Sequence, residues 1–123
     1  MAKLRTKVLY HGGSLKVPTR YQKGVLALGE GTLSFRARGR TLEEKITLTI
    51  PVEKLKRVTM EERMYYSSIG YFLRIEFSDD QDMPGELIVE VRSFLRRLRA
   101  LLTAQKWVEV LGDIIGKGGN HAP

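Results

Sequence analysis

The sequence predicts a mainly-β domain: a bent antiparallel sheet of about seven strands, followed by a single C-terminal α-helix. Three observations carry this. Short segments of alternating apolar and polar residues recur from Lys7 to Val91, and alternation is the mark of a strand with one buried face. The connections between them are short enough for antiparallel neighbours. Only after the last of these segments does the period change, over residues 93–115, to that of an amphipathic helix. Neither half buries its apolar face alone, so the helix is expected to cover an open end of the curled sheet.

In chain order, Val8 and Tyr10 alternate with Lys7 and Leu9 up to a break at Gly12-Gly13. Residues 14–22 carry Pro18 and no period, which predicts a loop. Val25 to Leu28 and Thr32 to Ala37 flank Gly29-Glu30-Gly31, where glycine accepts the positive φ of a tight hairpin. On the second arm Leu33, Phe35 and Ala37 share the inner face, and Ser34, Arg36 and Arg38 the outer one. Gly39-Arg40-Thr41 turns the chain. Ile46, Leu48 and Ile50 then alternate with Lys45, Thr47 and Thr49 until Pro51, which has no amide hydrogen for a ladder.

Residues 52–55 form a turn, and Val58 and Met60 resume the alternation. Tyr71, Leu73, Ile75 and Phe77 point inward against Arg74 and Glu76, followed by an acidic loop from Ser78 to Gly85. Leu87, Val89 and Val91 make the last strand, with Glu86 and Glu90 facing outward. Ser93 suits a helix N-cap. Phe94, Leu98, Leu101 and Val108 share one helical face, and Trp107 is expected in the core between helix and sheet. The domain thus spans residues 1–115, and residues 116–123, rich in glycine, are expected to be a flexible tail.

Composition narrows the class. The 42% apolar and 28% charged fractions of this 123-residue chain are those of one ordinary globular domain. There is no cysteine and only two histidines, His11 and His121, which excludes a disulfide framework and leaves too few ligands for structural zinc. No signal-like or membrane-spanning apolar run is present, so a cytoplasmic, at most peripherally membrane-bound protein is expected. The net charge of +7 is unevenly spread. Residues 1–40 hold Lys3, Arg5, Lys7, Lys16, Arg20, Lys23, Arg36, Arg38 and Arg40 against the single acid Glu30, whereas residues 41–90 are acidic on balance. Such an electrically lopsided molecule favours anionic partners on one side.

Motifs for chemistry fail on inspection. His11-Gly12-Gly13 is similar to a lipase oxyanion loop, but no G-x-S-x-G elbow exists to supply a nucleophile. Gly29-Glu30-Gly31 lacks the third glycine and the helix of a dinucleotide fingerprint, and Gly116-Lys117 lacks the preceding glycine and the hydroxyl of a phosphate loop. A calcium loop starting at Asp80 would carry Pro84 at its fifth position and Val91 at its twelfth, where a bidentate Glu is needed. No catalytic residue, metal or cofactor is therefore assigned.

The hairpin from Gly24 to Phe35, the segment from Ile46 to Val58, Trp107 on the last helix and the order of seven strands before one helix resemble the pleckstrin-homology-like superfamily, in its short GRAM-like and bacterial forms. That resemblance covers about Lys7 to Leu111. It implies a bent barrel of two near-orthogonal antiparallel sheets capped by the C-terminal helix, and a non-catalytic module that binds anionic headgroups, peptides or partner domains. Lipid-binding members carry basic residues on the first two strands and the loop between them. Here Lys16, Arg20 and Lys23 match in kind, while the basic pair Arg36 and Arg38 falls on the third strand instead of the second.

The expected site is thus an anionic-lipid surface made by Lys16, Arg20, Lys23, Arg36, Arg38 and Arg40, with Val17, Pro18 and Tyr21 entering the interface. Arg36 and Arg38 stand about 7 Å apart on one strand face, and guanidinium forks match phosphate oxygens. The alternative is a protein-interaction or homo-oligomerising module that uses a free sheet edge, or the apolar helix surface around Val110, Ile114 and Ile115. Adjacent Tyr65 and Tyr66 would then put one ring on the surface. Nucleic acid ranks third, because apart from Tyr21 no aromatic stacking platform lies among the bases.

Overall fold

The structure is a computed structural model, and it describes residues 4–13, 22–37, 46–64, 69–91 and 97–119. Seven strands form one sheet: β1 (Leu4–Gly13), β2 (Gln22–Leu28), β3 (Thr32–Ala37), β4 (Ile46–Pro51), β5 (Leu55–Met64), β6 (Ile69–Ser78) and β7 (Pro84–Val91). A short 3-10 turn, Val52–Lys54, joins β4 to β5, and α1 (Arg97–Gly119) closes the chain. All pairings are antiparallel, in the order β4-β3-β2-β1-β7-β6-β5.

β1 belongs to both halves of the sheet. Leu4 to Tyr10 pair with β2, while Leu9 to Gly13 pair with β7, and the register slips between Tyr10 and Gly12. Gly12 takes a φ of 138° at that slip, a conformation open to glycine at little cost. Gly12 and Gly13 still pair with β7 and are the last two residues of β1, so the strand ends where the sequence predicts, with a register irregularity just before that end. At the other bend-prone place, Gly31 (φ 79°) turns the β2–β3 hairpin as expected.

The inner face follows the register. Thr6, Leu26, Phe35 and Leu48 lie in one row, flanked by Leu4, Leu28, Leu33 and Ile50 on one side and by Val8, Gly24, Ala37 and Ile46 on the other. Gly24 makes room for the Phe35 ring: a Cβ there would meet the ring at 2.8 Å and the Arg36 carbonyl oxygen at 2.5 Å. On the second half Tyr71, Leu73, Ile75 and Phe77 are buried with Leu87, Val89 and Val91, as their alternation predicts.

Helix α1 packs on β5, β6, β7 and the 3-10 turn. Its fully buried residues are Ala100, Ala104, Trp107 and Leu111; of the predicted stripe, Leu101 and Val108 pack against the core beside them and Leu98 does not. Leu98 and Leu102 are exposed, at 67% and 56%, and Leu101 and Val108 are half-buried. Ala100 and Ala104 are the small residues of that face and Trp107 and Leu111 its large ones, with Val110, Ile114 and Ile115 also packed against the core. Trp107 has no exposed surface, as expected, and its Nε1–H donates to Thr6 Oγ1 at 2.9 Å. The indole thus ties a helix seated on β5–β7 to the inner face of β1, so both halves share one core. The helix also runs through Gly116–Gly119, into the segment expected as a tail. Ser93, Phe94, Tyr65 and Tyr66 lie outside the described residues.

Candidate functional site

Of the nine residues assigned to the anionic surface, Lys23 and Arg36 are described, and both are exposed. Lys16, Val17, Pro18, Arg20, Tyr21, Arg38 and Arg40 lie outside the described residues. The register shows what surrounds the two that are placed. Arg36 on β3 stands opposite Val25 on β2, which stands opposite Lys7 on β1. Lys23 is opposite Leu9, one strand-repeat further along the same outer face, and Arg5 is two residues before Lys7. Arg5 and Lys7 are exposed as well.

With strands about 4.8 Å apart and side chains on one face about 7 Å apart along a strand, Arg5, Lys7, Lys23 and Arg36 occupy a patch about 10 Å by 14 Å. Strands β1 to β4 contain no Asp or Glu. Leu9, Val25, Ala27, Thr32, Ser34, Thr47, Thr49 and Pro51 fill the remaining outward positions of that half-sheet, none of them charged. Sequence reasoning missed Arg5 and Lys7 because it placed the site on the loop after the first strand and on the third strand, and it began the first strand at Lys7, which left Arg5 outside. The available signal was parity: Arg5 and Lys7 alternate with Thr6 and Val8, which face inward.

The other half-sheet is compensated. Its outer face carries Arg57, Arg63 and Arg74 among Glu61, Glu76, Glu86 and Glu90. Arg74 Nε lies 2.9 Å from Glu86 Oε1, Arg63 Nη2 lies 3.2 Å from Glu61 Oε2, and Arg57 Nε approaches Glu76 Oε2 to 4.0 Å. A shallow depression of about 290 Å³ lies here, lined by Thr59, Glu61, Arg63, Phe72, Arg74 and Ile88. Its cations already face carboxylates, so it holds no surplus charge for an anionic ligand.

Beside that depression the alternation rule breaks. Phe72 and Glu90 are register partners on the outward face, yet Phe72 is 3% and Glu90 0% exposed. His11, at the register slip of β1, covers both: its Nε2 is 2.7 Å from Glu90 Oε1, and its ring meets Phe72 edge-on at 4.5 Å between centroids. The Arg63 guanidinium carbon sits over the Phe72 ring, 4.5 Å from its centroid. These side chains form a small second cluster on the outer face, apart from the main core. Glu90, expected in solvent, is instead held by a histidine 79 residues away in sequence.

The acidic loop is closed on itself. Asp79 Oδ1 accepts the amides of Gln81 and Met83 at 2.8 and 2.9 Å, and Asp82 takes a φ of 59°. A carboxylate that satisfies two turn amides is a turn-former. No group of three His, Cys, Asp or Glu side chains able to hold a metal exists among the described residues, and no described helix is long and apolar enough to cross a membrane. Comparison with family models and with curated proteins finds no match to this chain.

Proposed function

We propose that this chain is a non-catalytic binding module of pleckstrin-homology-like architecture, and that it docks on anionic phospholipid surfaces through the outer face of β1–β3. One observation carries the reading: the β1–β4 half-sheet presents Arg5, Lys7, Lys23 and Arg36 with no acidic residue on its strands, while the β5–β7 half is charge-compensated. Arginine and lysine next to anionic lipid contribute about 1 kcal/mol each. Lys16, Arg20, Arg38 and Arg40, with Val17, Pro18 and Tyr21, stay part of the proposal on the sequence alone. The barrel of two near-orthogonal sheets is part of the proposal too; a β1 shared between both halves and a helix bridging them by Trp107 support it.

Co-sedimentation with vesicles of phosphatidylcholine alone, and with added phosphatidylserine, tests this. Binding is expected only with the anionic lipid and is expected to weaken as salt rises, since screening acts over about 8–10 Å near physiological salt. Replacing Lys7 and Arg36 together with Gln is expected to remove about 2 kcal/mol, or about 30-fold in affinity. The paired Arg57→Gln and Arg63→Gln chain should bind as the parent does. Equal losses in both double variants, or equal binding to neutral vesicles, would refute the site.

A further inference from the structure

The two ends of the sheet differ in a way that points to a second copy of this chain. Strand β5, at one end, is a protected edge. It carries Lys56, Arg57, Glu61, Glu62 and Arg63 and a register irregularity between Leu55 and Arg57, devices that discourage further strand pairing. Strand β4, at the other end, has none of them. Its sequence is Ile46-Thr47-Leu48-Thr49-Ile50-Pro51, with no charge, no slip in its register with β3, and proline only at its last position. Among the described residues no strand pairs with its outer side.

The five residues before Pro51 read the same in both directions about Leu48. An antiparallel pair centred on a two-fold axis at Leu48 would place Leu48 against Leu48, Ile46 against Ile50 and Thr47 against Thr49 of the other copy. Every residue then meets its own type or its mirror position, which is the condition for an isologous contact. The faces match as well. Ile46 and Ile50 are buried and Leu48 half-buried on the inner side, while Thr47 and Thr49 are exposed on the outer side. Pairing would therefore continue the apolar row inside and set threonines side by side outside, a favourable cross-strand combination.

We infer that β4 is a homodimerisation edge, pairing antiparallel with β4 of a second copy in the register centred on Leu48. Five paired residues close about four to six backbone hydrogen bonds. The contact is far smaller than the roughly 1,200–2,000 Å² of a standard stable interface, so the dimer is a weak one, populated at high local concentration. Because the two-fold axis is normal to the sheet, both copies show their outer faces to the same side. Arg36 stands opposite Thr47, and the two Arg36 positions come within about 16 Å of each other across four strands. The dimer edge is independent of the lipid reading, although together they would double the number of bases facing one plane.

The absence of cysteine allows a register-specific test. A disulfide needs Cα atoms about 4.4–6.8 Å apart, a range that directly opposed antiparallel residues satisfy. In the full chain at high micromolar concentration under mild oxidation, Leu48→Cys is expected to cross-link to itself. Thr47→Cys alone is expected not to, since two copies of position 47 stand about 8 Å apart in this register, but an equimolar mixture of Thr47→Cys and Thr49→Cys is expected to give the mixed dimer. Equal cross-linking of all three single-thiol chains, or none by Leu48→Cys, would overturn the register. Sedimentation supplies a readout free of thiols: the parent should show a concentration-dependent dimer that Thr47→Lys abolishes with an unchanged circular-dichroism spectrum. A parent that remains monomeric across that range would overturn the inference, and vesicle binding by such a monomer would leave the lipid reading standing.

Discussion

Truncating Trp107 to Ala is the most direct perturbation of the link between helix and sheet. The side chain is fully buried among residues of both half-sheets. An indole buries about 150–250 Å², which at about 25 cal/mol per Å² amounts to roughly 4–6 kcal/mol. Large-to-small substitutions of buried aromatics measure about 3–5 kcal/mol, so the two routes agree. Losing the bond to Thr6 Oγ1 adds about 0.5–1.5 kcal/mol. Against a total stability of about 5–15 kcal/mol, Trp107→Ala should remove about a quarter or more. Urea denaturation followed by circular dichroism reads the change as a lowered midpoint. Adding Thr6→Val and Trp107→Phe completes a double-mutant cycle, and the coupling between the two sites should be about 1 kcal/mol. An unchanged midpoint in Trp107→Ala would refute the docked helix; zero coupling would refute the Thr6 bond alone.

Gly24→Ala should destabilise the domain by about 1–3 kcal/mol, because a methyl group there collides with the Phe35 ring and the Arg36 carbonyl oxygen; adding Phe35→Leu should recover part of that loss in the same denaturation assay. Glu90→Ala should cost about 1–3 kcal/mol by removing the hydrogen-bond partner of His11 Nε2 at a site with little solvent, whereas Glu90→Gln, which keeps an acceptor, should cost less; equal midpoints for the two would contradict the pairing. Asp79→Ala should loosen the β6–β7 turn, costing about 1–2 kcal/mol for two lost amide acceptors, and should accelerate hydrogen exchange at Gln81 and Met83 specifically.

The reading of individual strands and the reading of the site depend on different ranges of interaction. The inward parity of Leu33, Phe35 and Ala37, or of Tyr71 to Phe77, needs only the two-residue repeat of a strand with one wet face. The same rule fails at Phe72 and Glu90 because their cover comes from His11, brought over them by the register slip in β1. It fails again on α1, where helical periodicity admits several apolar stripes. Which stripe is buried is set by docking on β5–β7, and the face that docks carries Ala100, Ala104, Trp107 and Leu111 while Leu98 and Leu102 stay exposed.

Charge behaves likewise. The excess of bases in residues 1–40 is a property of composition, and it was visible without any fold. That Arg5, Lys7, Lys23 and Arg36 share one face is not, because it requires the pairing of β1 with β2 and β2 with β3 in one register. Local propensity and alternation, acting within a few residues, determined the seven strands, the hairpin at Gly29-Glu30-Gly31 and the buried Trp107. Contacts between residues far apart in sequence decided which faces came together: the shared β1, the Thr6–Trp107 bond and the His11–Glu90 pair. Such contacts depend on loop closure and packing across the whole sheet, and no local pattern of residues encodes them.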